Sequence, residues 1–150
     1  MINIDIIKME KNHIPSVAKI ESEVFSAPWS EQAFYDTLSL EYAHFYVAVE
    51  KEAVAGYCGI YLAADEGEIT NVAVASGWRR QKIAQRLLQK VMEEAHGQGI
   101  QRIFLEVRSR NEPAVCLYHK NGFESVSIRK NYYQNPQDDA LVMMLRISNS

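Results

Sequence analysis

Hydrophobic and polar positions alternate along the chain with two different periods, which predicts strands interleaved with helices. Short runs rich in Val, Ile and Tyr predict strands at residues 4–7, 44–49, 54–62, 68–74, 103–107, 123–127 and 141–146. Apolar residues spaced three or four apart predict helices at 15–25, 31–40 and 81–96, and a short helix that Asn111 caps and Gly122 ends. No linker or internal repeat divides this succession of elements.

The middle of the chain has the order strand, helix, strand. The strand ending at Val74 and the strand at 103–107 are joined by the long helix at 81–96, so these two strands should be parallel. Short turns, such as Asn135-Pro136-Gln137-Asp138, join other neighbouring strands, which should therefore pair antiparallel. The pattern predicts a mixed α/β sheet with helices on both faces.

Composition places the chain among globular proteins and narrows the function classes. Its 150 residues, 47% of them hydrophobic, suit one domain that spans residues 1–150. The net charge of −3 provides no basic field for nucleic acid, and the sequence has no apolar run that could cross a membrane. The first residues lack the pattern of a secretory signal, so we expect a soluble cytoplasmic protein.

Cysteine and histidine positions indicate no metal site. Cys58 and Cys116 form no C-x-x-C motif, and His13, His44 and His96 have no ligand-like spacing. Both cysteines lie among apolar residues and are expected in the core. His119 lies three residues after Cys116, but neighbours at this spacing on a short helix are also explained by packing, so a role for Cys116 as a covalent nucleophile is disfavoured.

The segment from Ala75 to Ala84 joins a strand to the start of a strongly amphipathic helix and is a candidate anion site. Arg79, Arg80 and Lys82 lie at this end, where cations oppose the helix dipole unless an anion joins them. The segment has neither the glycine pattern of a Walker loop nor that of a dinucleotide-binding loop. Spacing alone leaves two alternatives open, a phosphate site and a solvated basic turn.

Six segments in order resemble one family. They are Ala27-Pro28-Trp29-Ser30-Glu31, Asn71-Val72-Ala73-Val74, Arg79-x-x-Lys82-x-Ala84, Leu105-Glu106-Val107-Arg108-x-x-Asn111, Leu117-Tyr118-x-x-x-Gly122-Phe123 and Arg129-x-Asn131-Tyr132-Tyr133. Together they resemble the GNAT N-acetyltransferases, and within them the bacterial RimI branch, over nearly the whole chain. The resemblance implies a mostly antiparallel seven-stranded sheet whose central parallel pair is splayed for acetyl-CoA. It also implies acetyl transfer to the N-terminal alanine of a small-subunit ribosomal protein.

The resemblance also implies which residues hold the co-substrate acetyl-CoA. The expected contacts follow a strand, a pyrophosphate loop and one helix cap, at Val72, Ala73, Val74, Arg80, Gln81, Lys82, Ile83, Ala84, Gln85 and Asn111. One departure is that Lys82 stands where the family loop has its first glycine. We expect Lys82 to take helical backbone angles, keep its N–H donor and direct its ammonium outward.

Two residues are candidates for proton transfer. Glu106 lies in an otherwise apolar strand and is the candidate general base, although the residues alone favour the alternative that it pairs with Arg102 or Arg108. Tyr118 is the candidate general acid for the departing thiolate, and its alternative role is simple ring packing. The resemblance favours the catalytic roles for both.

The acceptor peptide is expected to meet aromatic side chains. Trp29, Tyr132 and Tyr133 would line a groove flanked by Asp138 and Asp139, although they could equally cover the edge of the core. Two other functions remain open, namely acetylation of lysine side chains or a small amine, and a non-catalytic acyl-CoA-binding module. Neither nucleic acid nor a membrane is expected as a partner.

Overall fold

Seven strands form one sheet in the computed structural model, which describes residues 3–147. Their order across the sheet is β1-β2-β3-β4-β5-β7-β6. The strands are β1 (Asp5–Lys8), β2 (Ala43–Glu50), β3 (Ala53–Ala63), β4 (Glu66–Val74), β5 (Arg102–Arg108), β6 (Glu124–Tyr133) and β7 (Asp138–Arg146). Within residues 3–147, β4 and β5 are the parallel pair and every other neighbouring pair is antiparallel. The predicted mixed sheet and its parallel pair are confirmed.

In the described part of the chain four α-helices cover the sheet, and side-chain caps begin two of them. They are α1 (Ile14–Val24), α2 (Glu31–Leu38), α3 (Ile83–Gly97) and α4 (Glu112–Lys120). The Ser30 hydroxyl accepts a hydrogen bond from the Ala33 N–H at 3.1 Å, and the Asn111 side chain accepts one from the Ala114 N–H at 3.3 Å. Each cap satisfies a helix N–H that has no partner inside the helix, so both helices begin where the sequence predicts.

Two apolar layers lie on opposite faces of the sheet. Helices α3 and α4 pack on one face around Leu87, Leu88 and Leu105. Helices α1 and α2 pack on the other face around Val17 and Phe34. Full burial of such side chains stabilises the fold by about 1.5–3 kcal/mol each. The expectation of helices on both faces is therefore confirmed.

The end of the chain differs from the prediction in strand length. Strand β6 is predicted at 123–127 but continues to Tyr133, and strand β7 is predicted at 141–146 but already begins at Asp138. The connection between them is therefore short, at residues 134–137. Strand β6 lies at the sheet edge, its residues are exposed along nearly its whole length, and its register shifts twice against β7. Because an edge strand needs no apolar face, hydrophobic alternation under-reports its length.

Cys58 is buried as predicted, but the prediction that Cys116 lies in the core is wrong. Cys116 is exposed on α4, whereas Tyr118 on the same helix is buried. Two residues along a helix correspond to about 200° of rotation, so these two side chains point to opposite sides. Among the helices of residues 3–147, the structure contains none with the length and apolar character of a membrane span.

Candidate active site

A cleft opens in the middle of the sheet, between β4 and β5. These strands pair at only three positions, from Glu66–Arg102 to Glu68–Phe104. Beyond that point β4 continues to Val74 and β5 continues to Arg108 without pairing to each other. The splay that the resemblance implies is therefore present.

Strand β4 directs main-chain groups of two valines into this cleft. The Ala75 N–H donates to the Ala55 carbonyl at 2.8 Å, which makes these two residues a hydrogen-bonded pair across β3 and β4. Hydrogen-bonded and non-bonded pairs alternate in an antiparallel ladder, so Val72 and Val74, opposite Cys58 and Gly56, are non-bonded pairs. The N–H and C=O groups of Val72 and Val74 consequently point away from β3 and toward β5.

Strand β5 forms the facing wall by the same rule. The Ser109 N–H donates to the Asp139 carbonyl at 3.0 Å, which marks a hydrogen-bonded pair at the end of the β5–β7 ladder. Alternation then turns the main-chain groups of Glu106 and Arg108 away from β7 and toward the cleft. Main-chain groups on both walls thus suit an extended ligand that carries its own amide donors and acceptors.

The N-terminus of α3 lies just after β4 and can hold an anion. The first bond of this helix runs from the Arg86 N–H to the Lys82 carbonyl at 3.1 Å, so the N–H groups of Ile83, Ala84 and Gln85 have no acceptor within the helix. Arg80 and Lys82 are exposed at the same end. Free N–H groups, the positive end of the helix dipole and two cations together favour a phosphate.

The backbone of this loop differs from the expectation. Lys82 has φ 61° and ψ 25°, in the left-handed region, and Arg80 also has a positive φ of 64°. The expectation that Lys82 adopts helical angles is therefore wrong, and α3 begins at Ile83 instead of residue 81. The loop keeps the backbone turn that a glycine would make easily, with a lysine in its place.

Gln81, between these two residues, carries a buried polar atom without a partner. Its side-chain oxygen Oε1 makes no hydrogen bond with any of residues 3–147. Because Oε1 is an acceptor, a ligand would satisfy it only through a donor such as an amide N–H, and a phosphate would not.

Glu106 lies at the cleft with a cation and a phenol beside it. Its Oε2 is 2.7 Å from Nε of Arg129, and its Oε1 accepts a hydrogen bond from the Tyr132 hydroxyl at 3.4 Å. Its partner is thus neither Arg102 nor Arg108, the two residues considered from the sequence. Glu106 alternates with Leu105 and Val107, whose side chains are buried against α3 and α4, so the carboxylate projects on the face that carries α1 and α2.

Tyr118 approaches from the other face of the sheet. It is buried on α4, and its ring meets Phe123 edge to face with centroids 5.8 Å apart. Burial raises the pKa of Tyr118, and nearby Cys58 and Tyr133 raise it further. The phenol therefore keeps its proton well above neutral pH, as a proton donor requires.

The three predicted acceptor-binding aromatics fall into two places. Tyr132 and Tyr133 lie beside Glu106, with their rings edge to face and 5.0 Å between centroids. Burial, with Glu106 adding to it, raises the pKa of Tyr133 to about 12. Trp29 instead packs on Phe34, 5.1 Å away between centroids, in the core layer of α1 and α2.

Asp138 does not face a groove as a free carboxylate. It is buried and accepts hydrogen bonds from the Ser109 hydroxyl at 2.7 Å and the Arg110 N–H at 3.1 Å. The bond from Ser109, together with the main-chain bonds from Arg110 and Asp139, holds the pKa of Asp138 below its usual value. Asp138 thus fastens the β5–α4 turn to the start of β7.

Asn111 caps α4, and the resemblance also predicts that it contacts the co-substrate. Its side-chain oxygen caps α4, which leaves the amide nitrogen of this exposed residue available for a ligand.

Sequence reasoning missed one buried carboxylate next to the site. Glu21 on α1 is buried and accepts hydrogen bonds from the Tyr57 hydroxyl, the Asn71 side-chain amide at 3.1 Å and the Trp29 N–H at 3.0 Å. The sequence contains one signal for the burial of Glu21: this residue follows Ile20 and falls on the apolar stripe of α1.

The comparisons with known proteins agree with this architecture. Residues 14–123 match the model of the acetyltransferase (GNAT) family. The ribosomal protein bS18-alanine N-acetyltransferase of Escherichia coli (strain K12) is 31% identical over 142 residues, which are 93% of this chain and 95% of the relative. A Bacillus subtilis (strain 168) protein provisionally named for the same activity is 39% identical over 142 residues, 93% of each chain.

A solved structure extends the similarity to the fold. The crystal structure of the ribosomal-protein-S18-alanine N-acetyltransferase from Escherichia coli matches with a TM-score of 0.90 and 29% sequence identity. The match covers 99% of this chain and 96% of that chain.

Proposed function

The chain belongs to the GNAT acetyltransferase family, whose members use acetyl-CoA, and on this premise we propose that it acetylates the N-terminal α-amine of a small-subunit ribosomal protein that begins with alanine. Support for this acceptor comes from the relatives that are named as acting on bS18. We further propose that residues 1–150 form one catalytic domain and that the reaction takes place in the cytoplasm.

The observation that carries the proposal is the cleft between β4 and β5, with a carboxylate and a phenol on either side of it. The main-chain groups of Val72 and Val74 match the amides of an extended thioester chain. The N–H groups at the start of α3 match its pyrophosphate. In the proposed complex Ala73 contacts the thioester chain along β4, Asn111 makes a further contact with the co-substrate, and the phosphate end is held by Arg80, Gln81, Lys82, Ile83, Ala84 and Gln85.

In the proposed reaction Glu106 prepares the acceptor. An N-terminal ammonium has a pKa of about 7.7–8.0, so one carboxylate can accept its proton directly or through water. The free amine nitrogen then attacks the thioester carbon. A main-chain N–H of Val72 or Val74 stabilises the charge that develops on the carbonyl oxygen.

Tyr118 completes the proposed transfer. As the carbon–sulfur bond breaks, the phenol donates its proton to the departing sulfur, and the new amide bond remains on the peptide. The acetyl group moves directly between the two substrates, so no protein nucleophile takes part. The exposed Cys116 on the outer face of α4 is consistent with this direct route.

Mass spectrometry of peptides incubated with the protein and acetyl-CoA tests the proposal. A peptide with the first residues of bS18 should gain one acetyl group at its α-nitrogen. The matched peptide with a blocked N-terminus and a free lysine should gain none. Acetylation of the lysine alone would instead support a lysine acetyltransferase, and acetyl-CoA binding without transfer to any peptide would support a non-catalytic module.

A further inference from the structure

The guanidinium of Arg108 links the two loops beside the cleft. These are the α1–α2 loop (residues 25–30) and the β6–β7 loop (residues 134–137). Nη1 of Arg108 donates to the Pro136 carbonyl at 2.7 Å, and Nη2 donates to the Gln134 carbonyl at 3.0 Å. Nη2 also donates to the Ser26 hydroxyl at 3.1 Å. One side chain from the end of β5 therefore binds both loops.

Two further contacts complete this junction. The Arg108 guanidinium lies over the ring of Tyr133 with 4.4 Å to the centroid. The Ser26 hydroxyl donates to the Gln134 carbonyl at 3.4 Å, so the loops also touch each other directly. The planar fork of arginine suits such a junction because it offers several donors in fixed directions, which an ammonium does not.

The location of the junction connects it with the acceptor. The β6–β7 loop directly follows Tyr132 and Tyr133, which lie beside Glu106, and the α1–α2 loop touches it through Ser26. A loop on its own is more mobile than the sheet that supports it. A rigid wall is needed for a pocket to discriminate side chains by size, since each added methylene then changes the rate by about 10–200-fold.

We propose that Arg108 is a positioning residue that holds the two loops at a fixed separation and thereby restricts the acceptor to a small first residue. The proposal rests on the proposed function for its acceptor, and on the contacts of Arg108 for its physical basis. Arg108 itself takes no part in bond making. When its fork is lost, the loops move apart and larger first residues enter.

Arg108→Lys is the informative variant because it keeps the positive charge and removes the fork. Ser26→Ala removes one of the three hydrogen-bond partners and should have a smaller effect. Lys120→Ala, at the exposed end of α4 and outside the contacts of the junction, is the control for an unrelated surface substitution. All three sites lie outside the apolar core, so the variants should fold, and circular dichroism checks that they do.

Hydrogen exchange of the unliganded protein tests the junction without any activity measurement. In Arg108→Lys, amide exchange in residues 25–30 and 134–137 should accelerate together by about tenfold or more, as expected when local structure opens. In Lys120→Ala both loops should exchange at the wild-type rate. Unchanged exchange in either loop of Arg108→Lys would overturn the proposal.

Steady-state kinetics with peptides that begin with Ala or Leu test the selectivity. The ratio of kcat/KM for the two peptides should fall by about tenfold or more in Arg108→Lys, while the KM for acetyl-CoA stays unchanged. A merely structural role would lower both rates alike, and an unchanged ratio would overturn the proposal. Wild-type protein inactive on every peptide would contradict the proposed function, and hydrogen exchange would then decide the role of Arg108 alone.

Discussion

The carboxylate of Glu106 and the guanidinium of Arg129 form an ion pair at 2.7 Å, so the candidate base already holds a cation in the free protein. An acceptor ammonium carries the same charge as that guanidinium and needs the same carboxylate. Arg129 is a solvent-exposed competitor, since 60% of its side chain is accessible. Glu106 and Arg129 should therefore respond to mutation in different ways.

Glu106→Gln should lower kcat by about 10²–10⁴-fold, the usual loss when a general base is removed. The amide keeps the size of the side chain and can still accept a hydrogen bond from Tyr132. Steady-state rates with an alanine-starting peptide measure the effect, and acetyl-CoA binding by calorimetry should be unchanged. A variant with wild-type kcat would return Glu106 to a structural role.

Arg129→Gln should leave kcat near the wild-type value. Exposed ion pairs are worth about 0–1 kcal/mol, so removal of the competing cation should lower the KM for the peptide by less than about fivefold. The same peptide titration measures this change. A loss of kcat as large as that of Glu106→Gln would show that Arg129 takes part in catalysis.

Tyr118→Phe should slow the reaction while the fold stays intact. The ring can keep its edge-to-face contact with Phe123, and only the hydroxyl is lost. We expect kcat to fall by about 10²–10⁴-fold, as for the loss of a general acid. Because burial raises the pKa of Tyr118, its phenol should stay protonated across the pH range in which the α-amine loses its proton.

The pH dependence of wild-type activity and the stability of Tyr118→Phe separate a catalytic role of Tyr118 from a packing role. Wild-type activity should rise through the pKa of the amine and should not fall near pH 10 through ionisation of this phenol. The thermal midpoint of the variant should lie close to that of the wild type. A variant with unchanged kcat would indicate that Tyr118 only packs its ring.

Lys82→Gly should stabilise the protein, because glycine takes the left-handed backbone of this position without a Cβ clash. We expect about 0.5–1 kcal/mol, net of the added freedom of the unfolded chain, which raises Tm by roughly 1–4 °C. Loss of the ammonium beside the helix N-terminus should weaken acetyl-CoA binding by less than about fivefold. Lys82→Gln is the matched control, since it loses the charge and keeps the strained backbone.

Calorimetry and thermal unfolding distinguish the two effects at Lys82. Both variants should bind acetyl-CoA slightly more weakly, and only Lys82→Gly should gain stability. A lower Tm for Lys82→Gly would contradict the argument from backbone conformation.

Asp138→Asn should destabilise the protein at neutral pH. Hydrogen bonds from Ser109 and two main-chain N–H groups lower the pKa of Asp138 in the folded state. A lowered carboxyl pKa stabilises the fold above the unfolded value near 3.9, and this stabilisation disappears as the pH falls through the folded pKa. The Tm of Asp138→Asn should thus lie furthest below the wild-type Tm at pH 7, and this difference should shrink below about pH 4.

Ser109→Ala controls for the origin of this effect. It removes the largest contribution to the lowered pKa and should reproduce part of the loss at pH 7. Thermal unfolding from pH 3 to pH 7 measures both variants. A Tm difference that is independent of pH would exclude ionisation of Asp138 as its cause.

Local signals in the sequence determined the element types and most of their boundaries. Ser30 and Asn111 cap their helices through bonds to residues three positions away, and such short-range contacts are visible as patterns. The crossover helix between β4 and β5 made their pairing parallel before any coordinates were considered. The fold class was therefore predictable from local patterns, whereas Glu106 and Tyr118 became catalytic candidates only through the resemblance to a family.

Tertiary structure alone decided how distant side chains meet. Arg108 contacts Ser26, which lies 82 positions earlier in the chain, and Glu106 meets Arg129 instead of its neighbours Arg102 and Arg108. The buried Glu21 and Asn71 meet across 50 positions. Such contacts depend on the three-dimensional path of several elements and have no periodic trace in the sequence. The local patterns of the chain thus specified the strands and helices around the cleft. Packing of remote segments specified which charged side chains meet there and how closely the α1–α2 and β6–β7 loops approach.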